Sequence, residues 1–126
     1  DVCESHGATH KGKKAGSIGW VSNFSFYYAH HMSTIEGGML CTNDSIVYEQ
    51  ARMLRSHGML RESRDEENKK KIISENPELN PDFIFMYPAY NVRNTEIGGI
   101  LGISQLKRLD QIIKKRTPKT QNHPRV

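Results

Sequence analysis

The stretch that most constrains this chain runs from Phe24 to Gly38. An aromatic run, Phe24-Ser25-Phe26-Tyr27-Tyr28, delivers a hydroxyl and then two adjacent imidazoles, His30 and His31, to a polar turn. Gly37-Gly38 closes that turn before a second apolar run, Met39-Leu40-Cys41. The pattern predicts two short strands with chemistry carried on the loop between them. Histidine alone among side chains has an unperturbed pKa near neutrality, so it accepts and returns a proton without extreme tuning. Neighbouring side chains on a strand or tight turn diverge, so His30 and His31 are not expected to act on one atom. One serves the chemistry, and the other supports it or packs. The glycine pair is expected to allow positive φ or a close backbone approach. On residue types alone, a solvated polar turn and an acid–base site both remain open. A metal site lacks support, because there is no His-x-x-x-His or Cys-x-x-Cys spacing and His6, His10, His57 and His123 are scattered.

A length of 126 residues allows one domain with a modest core. The opening Asp1-Val2-Cys3-Glu4 has no initiator Met and no leader pattern, and reads as the interior of something longer. No apolar run approaches the roughly 20 residues that span a bilayer. We therefore expect no membrane partner and a cytoplasmic location. Cys3 and Cys41 are expected to be free thiols. The net charge of +4 raises the question of nucleic acid. The basic groups at residues 11–14, 69–71 and 114–116 are interrupted by acidic stretches and lack interleaved aromatics, which describes a solvated surface with no nucleic-acid partner.

In chain order, residues 1–8 read as the loop after a strand, where acids in open α/β sheets meet crevices. Residues 10–16 form a basic glycine-bearing hairpin. Trp20 to Tyr27 and Met39 to Thr42 read as strands. Asn43-Asp44-Ser45 caps a helix that stops near His57-Gly58, with the glycine left-handed. The charged segment Arg61 to Lys71 is a mobile insert or an exposed helix. Prolines 77, 81 and 88 break structure around Phe83-Ile84-Phe85-Met86. Asn94 or Thr95 caps a helix with Ile97, Ile100, Leu101, Leu109 and Ile113 inward; Lys114-Lys115-Arg116 complements its dipole, and Pro118 ends it. The apolar faces exceed what these elements can cover for one another, so the segment is expected to need further strands for stable folding.

These residues resemble the DegT/DnrJ/EryC1/StrS group of sugar aminotransferases and dehydratases. The motifs that carry the resemblance are Asp1-x-x-Glu4-Ser5-x-Gly7-Ala8, Gly16-x-x-Gly19, Phe24-Ser25-Phe26, Thr34-x-Glu36-Gly37-Gly38, Thr42-Asn43-Asp44, Arg55-x-His57-Gly58 and Tyr90-Asn91-x-Arg93-x-x-Glu96, followed by Gln105-Leu106. The resemblance implies an α/β chain belonging to the large domain of an aspartate aminotransferase-like (type I) fold. Residues 1–116 form an incomplete C-terminal part of that cofactor-binding domain, and residues 117–126 form a tail that departs from the pattern. It implies a pyridoxal or pyridoxamine 5′-phosphate cofactor. Asp1 pairs with the protonated pyridine nitrogen, and Glu4 lies near the phenolic oxygen. Ser25 binds the phosphate, and Asn91 reaches the phosphate site of the neighbouring subunit in a homodimer with shared active sites.

His30 stands where the family's aminotransferases carry the lysine that holds the cofactor covalently. Imidazole has no primary amine, so the cofactor is held noncovalently. The resemblance narrows to a histidine-for-lysine subgroup, the C3-dehydratases of nucleotide-linked 4-keto-6-deoxy sugars, with His30 as acid and base. His57 matches a second active-site-proximal histidine of that subgroup, and a structural role at a helix end stands beside that reading. Cys3 falls where one branch ligates an iron–sulfur cluster, yet Leu60 to Asn76 contains no cysteine, so no cluster is expected and glutamate serves as amino donor. An aminotransferase with diffusible cofactor, or an inactive fragment, are the competing readings. The isolated segment is expected to be inactive.

Overall fold

The computed structural model describes residues 1–121, and the side chains of residues 1–117. The expected tail at 117–126 therefore lies partly outside the described residues, as does His123. The chain is α/β and divides into two compact units. One is built from residues 1–41 together with the segment beginning at Asn94, the other from Thr42–Arg93.

The first unit opens with a polar loop whose Val2 N–H donates to Asn23 O, tying it to the strand that follows. The basic hairpin forms as expected: β1 (Thr9–His10) pairs antiparallel with β2 (Lys13–Lys14). Its two-residue turn places Lys11 and Gly12 at φ 49° and 77°, the left-handed geometry that matches strand twist. β3 (Val21–Ser25) and β4 (Gly38–Thr42) form a second two-stranded sheet; β3 is one residue shorter at its start and two at its end than the Trp20-to-Tyr27 run predicted, and β4 begins one residue before the expected Met39. The glycine pair between them does not take positive φ; Ile35 does, at 74°. The glycines serve close approach instead. A Cβ on Gly37 would lie 2.5 Å from Thr34 Oγ1 and 3.2 Å from Asn94 Nδ2, and one on Gly38 would lie 3.1 Å from Phe24 O.

The long helix of this unit, labelled α3 in chain order, spans Glu96–Gln121 and passes through Pro118, correcting the predicted stop. A proline inside a helix forfeits the bond to the carbonyl four residues back without ending the helix here. The expected inward face is also corrected. Ile97 and Ile100 are 70 % and 68 % exposed, whereas Gly98, Leu101, Gly102, Gln105, Leu109 and Ile113 are turned from solvent. The two glycines explain the rotation. A Cβ on Gly102 would meet Thr34 Cγ2 at 3.4 Å, and one on Gly98 would meet the Asn94 carboxamide at 2.5 Å, so the helix docks on the side that lacks side chains.

The second unit is organised by α1 (Ser45–Leu54), whose Asp44 carboxylate accepts from the Ile46 and Val47 N–H groups. After the helix both His57 and Gly58 are left-handed, at φ 61° and 74°. Met53, Met59, Leu60 and Ile84 make the buried cluster. Glu49 accepts from Ser63 Oγ and Arg64 N–H, and Arg52 Nε donates to Glu62 O, which ties α1 to the following 3₁₀ turn (Leu60–Glu62). The charged segment becomes an exposed helix, α2 (Glu66–Glu75), capped by Asp65 and with none of its residues buried. Phe83 and Phe85 remain outside at 59 % and 55 % exposure, while Ile84 turns in. No helix among the described residues is long and apolar enough to cross a membrane.

Candidate active site

His30 and His31 do not continue β3. They sit in the turn after it, which the His30 N–H closes by donating to Tyr27 O. Strand alternation therefore does not apply, and both rings face Glu4, though through different oxygens, so the two do not act on one atom. Glu4 presents Oε1 to His30 Nδ1 at 2.7 Å and Oε2 to His31 Nδ1 at 3.9 Å. The first is a short charge-assisted hydrogen bond, and the second is too long for a hydrogen bond. The His30 and His31 side chains are only 18 % and 10 % exposed, while Glu4 is 66 % exposed.

The hydrogen bond from His30 holds the Glu4 carboxyl below its usual value; burial opposes it, and the charges of His30, His31 and Arg116 add to the lowering. Glu4 is therefore an anion that only accepts. The neutral His30 ring then carries its proton on Nδ1 and its lone pair on Nε2.

Behind the histidines stands a wall that spacing alone did not reveal. The His6 ring packs 5.3 Å from Phe24, 6.3 Å from Phe26 and 5.8 Å from His31, centroid to centroid. A Cβ on Gly7, at φ 84°, would meet the Ile113 side chain at 2.6 Å, so α3 presses directly on this loop. Three residues further along the same helix face, Arg116 brings Nη1 to 3.4 Å from His31 Nδ1 and 3.2 Å from His31 Nε2. Arg116 was read as a helix-dipole residue and His6 as one of several scattered histidines. Both belong to this cluster, and only tertiary packing joins positions 85 residues apart in sequence.

Burial is the main reason the His31 pKa lies below normal. Arg116, His6 and His30 add to that, and Glu4 opposes it. Burial likewise lowers His6, aided by His30 and opposed by a Cys3 backbone group and by Glu4. The sign for stability follows. The unfolded chain binds protons at these rings near pH 6.5, the folded chain only at lower pH, so stability rises with pH across the window just below 6.5 and is lost as pH falls through it. Calorimetry of the full-length protein should show a falling melting temperature between about pH 7 and 5. The fall should shrink in a His6→Phe variant, and an unchanged slope there would contradict the assignment.

Asp1 and Ser25 flank the same strand. Asp1 Oδ1 accepts from Cys3 N–H, Cys3 Sγ lies 3.9 Å from Asn23 O, and Ser25 Oγ, at the end of β3, accepts from Tyr27 N–H. His57 and Asn91 belong to the second unit, where they are neighbours. Ser56 bridges Asn91, His57 N–H donates to Tyr90 O, and Asn91 Oδ1 accepts from Arg93 Nε. His57 also lines an open cleft with Phe85, Met86, Tyr87, Pro88 and Ala89. The first unit thus unites Glu4, His30 and His31, with Asp1 in the opening loop that Val2 ties to β3 and Ser25 at the end of that strand.

This donor set suits a phosphopyridine cofactor. A carboxylate anchored by a backbone N–H can face a ring N–H, and a serine hydroxyl at a strand end can donate to phosphate. His30, whose side chain is mostly buried, has no primary amine and cannot tether such a cofactor covalently.

The comparisons with known proteins agree with that assignment of class. Residues 1–123 match the DegT/DnrJ/EryC1/StrS aminotransferase family, and the chain belongs to it. Among its relatives is the GDP-4-keto-6-deoxy-D-mannose 3-dehydratase of Escherichia coli O55:H7, 40 % identical over 116 residues, which are 92 % of this chain and 30 % of that protein. A UDP-4-amino-4,6-dideoxy-N-acetyl-beta-L-altrosamine transaminase of Helicobacter pylori is 32 % identical over 100 % of this chain and 29 % of its own length. The solved structure of the Escherichia coli GDP-4-keto-6-deoxy-D-mannose-3-dehydratase with bound hydrated PLP superposes with a TM-score of 0.75 at 34 % identity, covering 96 % of this chain and 31 % of that one. The chain thus spans less than a third of the length of these relatives.

Proposed function

We propose that the full-length protein carrying this chain is a pyridoxamine phosphate-dependent dehydratase that removes the C3 hydroxyl of a nucleotide-linked 4-keto-6-deoxyhexose, a step of deoxysugar and O-antigen assembly. The observation that carries this reading is the His30–Glu4 pair: an imidazole at the family's lysine position, hydrogen-bonded through Nδ1 to a carboxylate at 2.7 Å. The 3-dehydratase relative supports it through its name and 40 % identity.

Asp1 would face the cofactor's ring nitrogen and Ser25 its phosphate, with Asn91 directed to the phosphate site of a partner subunit in a homodimer. When bound, the cofactor supplies the amine that engages the C4 ketone and the electron sink that takes up the electrons freed with the proton. The protein's part is proton traffic. His30 Nε2 takes up the proton, and Glu4 stabilises the imidazolium through the Nδ1–H bond. His30 Nε2 then returns the proton to the departing C3 oxygen, which leaves as water. Glutamate would serve as the amino donor that supplies the cofactor's amine. Residues 1–116 would be the C-terminal part of the cofactor-binding large domain of a cytoplasmic enzyme.

The test is to incubate the full-length protein with pyridoxamine phosphate, glutamate and a panel of nucleotide-linked 4-keto-6-deoxy sugars, and to weigh the products. Loss of oxygen at C3 supports dehydration. Gain of nitrogen at C4 with the C3 oxygen retained overturns it in favour of an aminotransferase, the activity of the Helicobacter pylori relative.

A further inference from the structure

Glu4 is two-thirds exposed, yet it makes a 2.7 Å bond to His30. An exposed carboxylate ordinarily samples several rotamers and loses that freedom only if something else holds it. Its second oxygen faces His31 at 3.9 Å. The His31 ring has the His6 ring 5.8 Å away, centroid to centroid, and Arg116 Nη1 within 3.4 Å of both its ring nitrogens. A nitrogen nearly equidistant from both ring nitrogens spans the ring and does not form one in-line bond to it, so Arg116 fixes the ring's plane as well as lending charge. α3 brings Arg116 there through Ile113, which is seated against Gly7 only two residues beyond Ser5 and three beyond Glu4.

We propose that His31 and Arg116 are positioning residues for the acid–base pair. His31, in contact with Arg116 and near His6, fills the space beside Glu4 Oε2, and with the charge of Arg116 it confines the carboxylate so that Oε1 meets His30 Nδ1 and leaves His30 Nε2 as the single reactive nitrogen. The inference deepens the acid–base reading of His30 given above and rests on it. The groups facing this cluster are Glu4 and His6 from the opening loop, His30 and His31 from the turn after β3, and Arg116 from α3. The field of Arg116 also reaches Glu4 and favours its ionised form. Burial first, and then Arg116, lowers the proton affinity of His31, so the ring acts on Glu4 by its bulk while Arg116 supplies the charge.

A purely structural role would not influence which nitrogen of His30 carries the proton. The test is therefore the ¹⁵N spectrum of histidine-labelled full-length protein, without substrate, at a pH where the ring is neutral. In the native protein His30 should be predominantly the Nδ1–H tautomer. In Arg116→Gln, at an exposed helix position, and in His31→Phe, which keeps an aromatic ring against His6, the Nδ1–H to Nε2–H ratio should fall several-fold. With substrate, kcat should fall about tenfold and KM stay nearly constant, as expected for loss of base orientation. Arg116→Lys, which keeps charge but not the planar fork, should recover only part of the ratio. The double variant should be no worse than the worse single one, because both act through Glu4. A native tautomer ratio in both folded single variants would overturn the proposal. That readout involves no substrate, so it can fail while dehydration stands, and dehydration can fail while the tautomer result stands.

Discussion

Replacing His30 with asparagine should cost the full-length enzyme about 10²- to 10⁴-fold in dehydration rate, the range lost when a positioned acid–base group is removed. Asparagine keeps a polar side chain of similar reach and preserves a donor for Glu4, so the 2.7 Å contact has a replacement and the turn after β3 should survive. What disappears is the imidazole nitrogen that takes up and returns the proton. Sugar binding should be little affected, which places the loss in kcat. A second measurement bears on the same residue. Borohydride should fix no coenzyme at position 30 of the native protein, because imidazole offers no primary amine to be trapped. Undiminished deoxygenation in His30→Asn, or a reduced coenzyme adduct at this site, would each remove His30 from the chemistry.

Gly58→Ala should be the most damaging small substitution in the second unit. Gly58 holds φ 74°, where an L side chain pays roughly 1–2 kcal/mol. A Cβ there would also run into the Tyr87 carbonyl oxygen, a backbone atom that cannot swing aside, adding about 1–3 kcal/mol of forced movement. The glycine is bonded on both sides, its N–H to Met53 O and its carbonyl to Met86 N–H, so the chain cannot relax without losing the end of α1 or the 84–90 segment. Gly12 is the control. It has φ 77°, yet nothing lies within 4 Å of its added Cβ, and Gly12→Ala should show the backbone cost alone. Urea denaturation of the two variants measures the difference. Equal midpoints would mean that the Tyr87 approach carries no weight.

Local chemistry was legible wherever a short-range rule applied. Asp44 caps α1 because an acceptor precedes an apolar periodic run, and the Lys11-Gly12 turn follows from two residues between short strands. The motif residues Asp1, Glu4, Ser25 and His30 could be placed in a family by order and spacing. The face of α3 was not legible. Hydropathy pointed Ile97 and Ile100 inward, whereas contact goes through Gly98 and Gly102, since close backbone approach leaves no apolar signature in sequence. The positive φ assigned to Gly37-Gly38 fell on Ile35 for a similar reason, the glycines being consumed by packing against Thr34, Asn94 and Phe24.

By itself the amino-acid order determined the residue types at the site: an imidazole at position 30, a carboxylate at position 4, and a hydroxyl at position 25. These are covalent facts, and they limit which reactions are open before any folding occurs. Only the tertiary structure decided that Glu4 answers to both histidines and that Arg116, from the far end of a long helix, stands against one of them. Contacts between residues 26 and 85 positions apart depend on how loops and a helix pack, and no local propensity encodes that geometry.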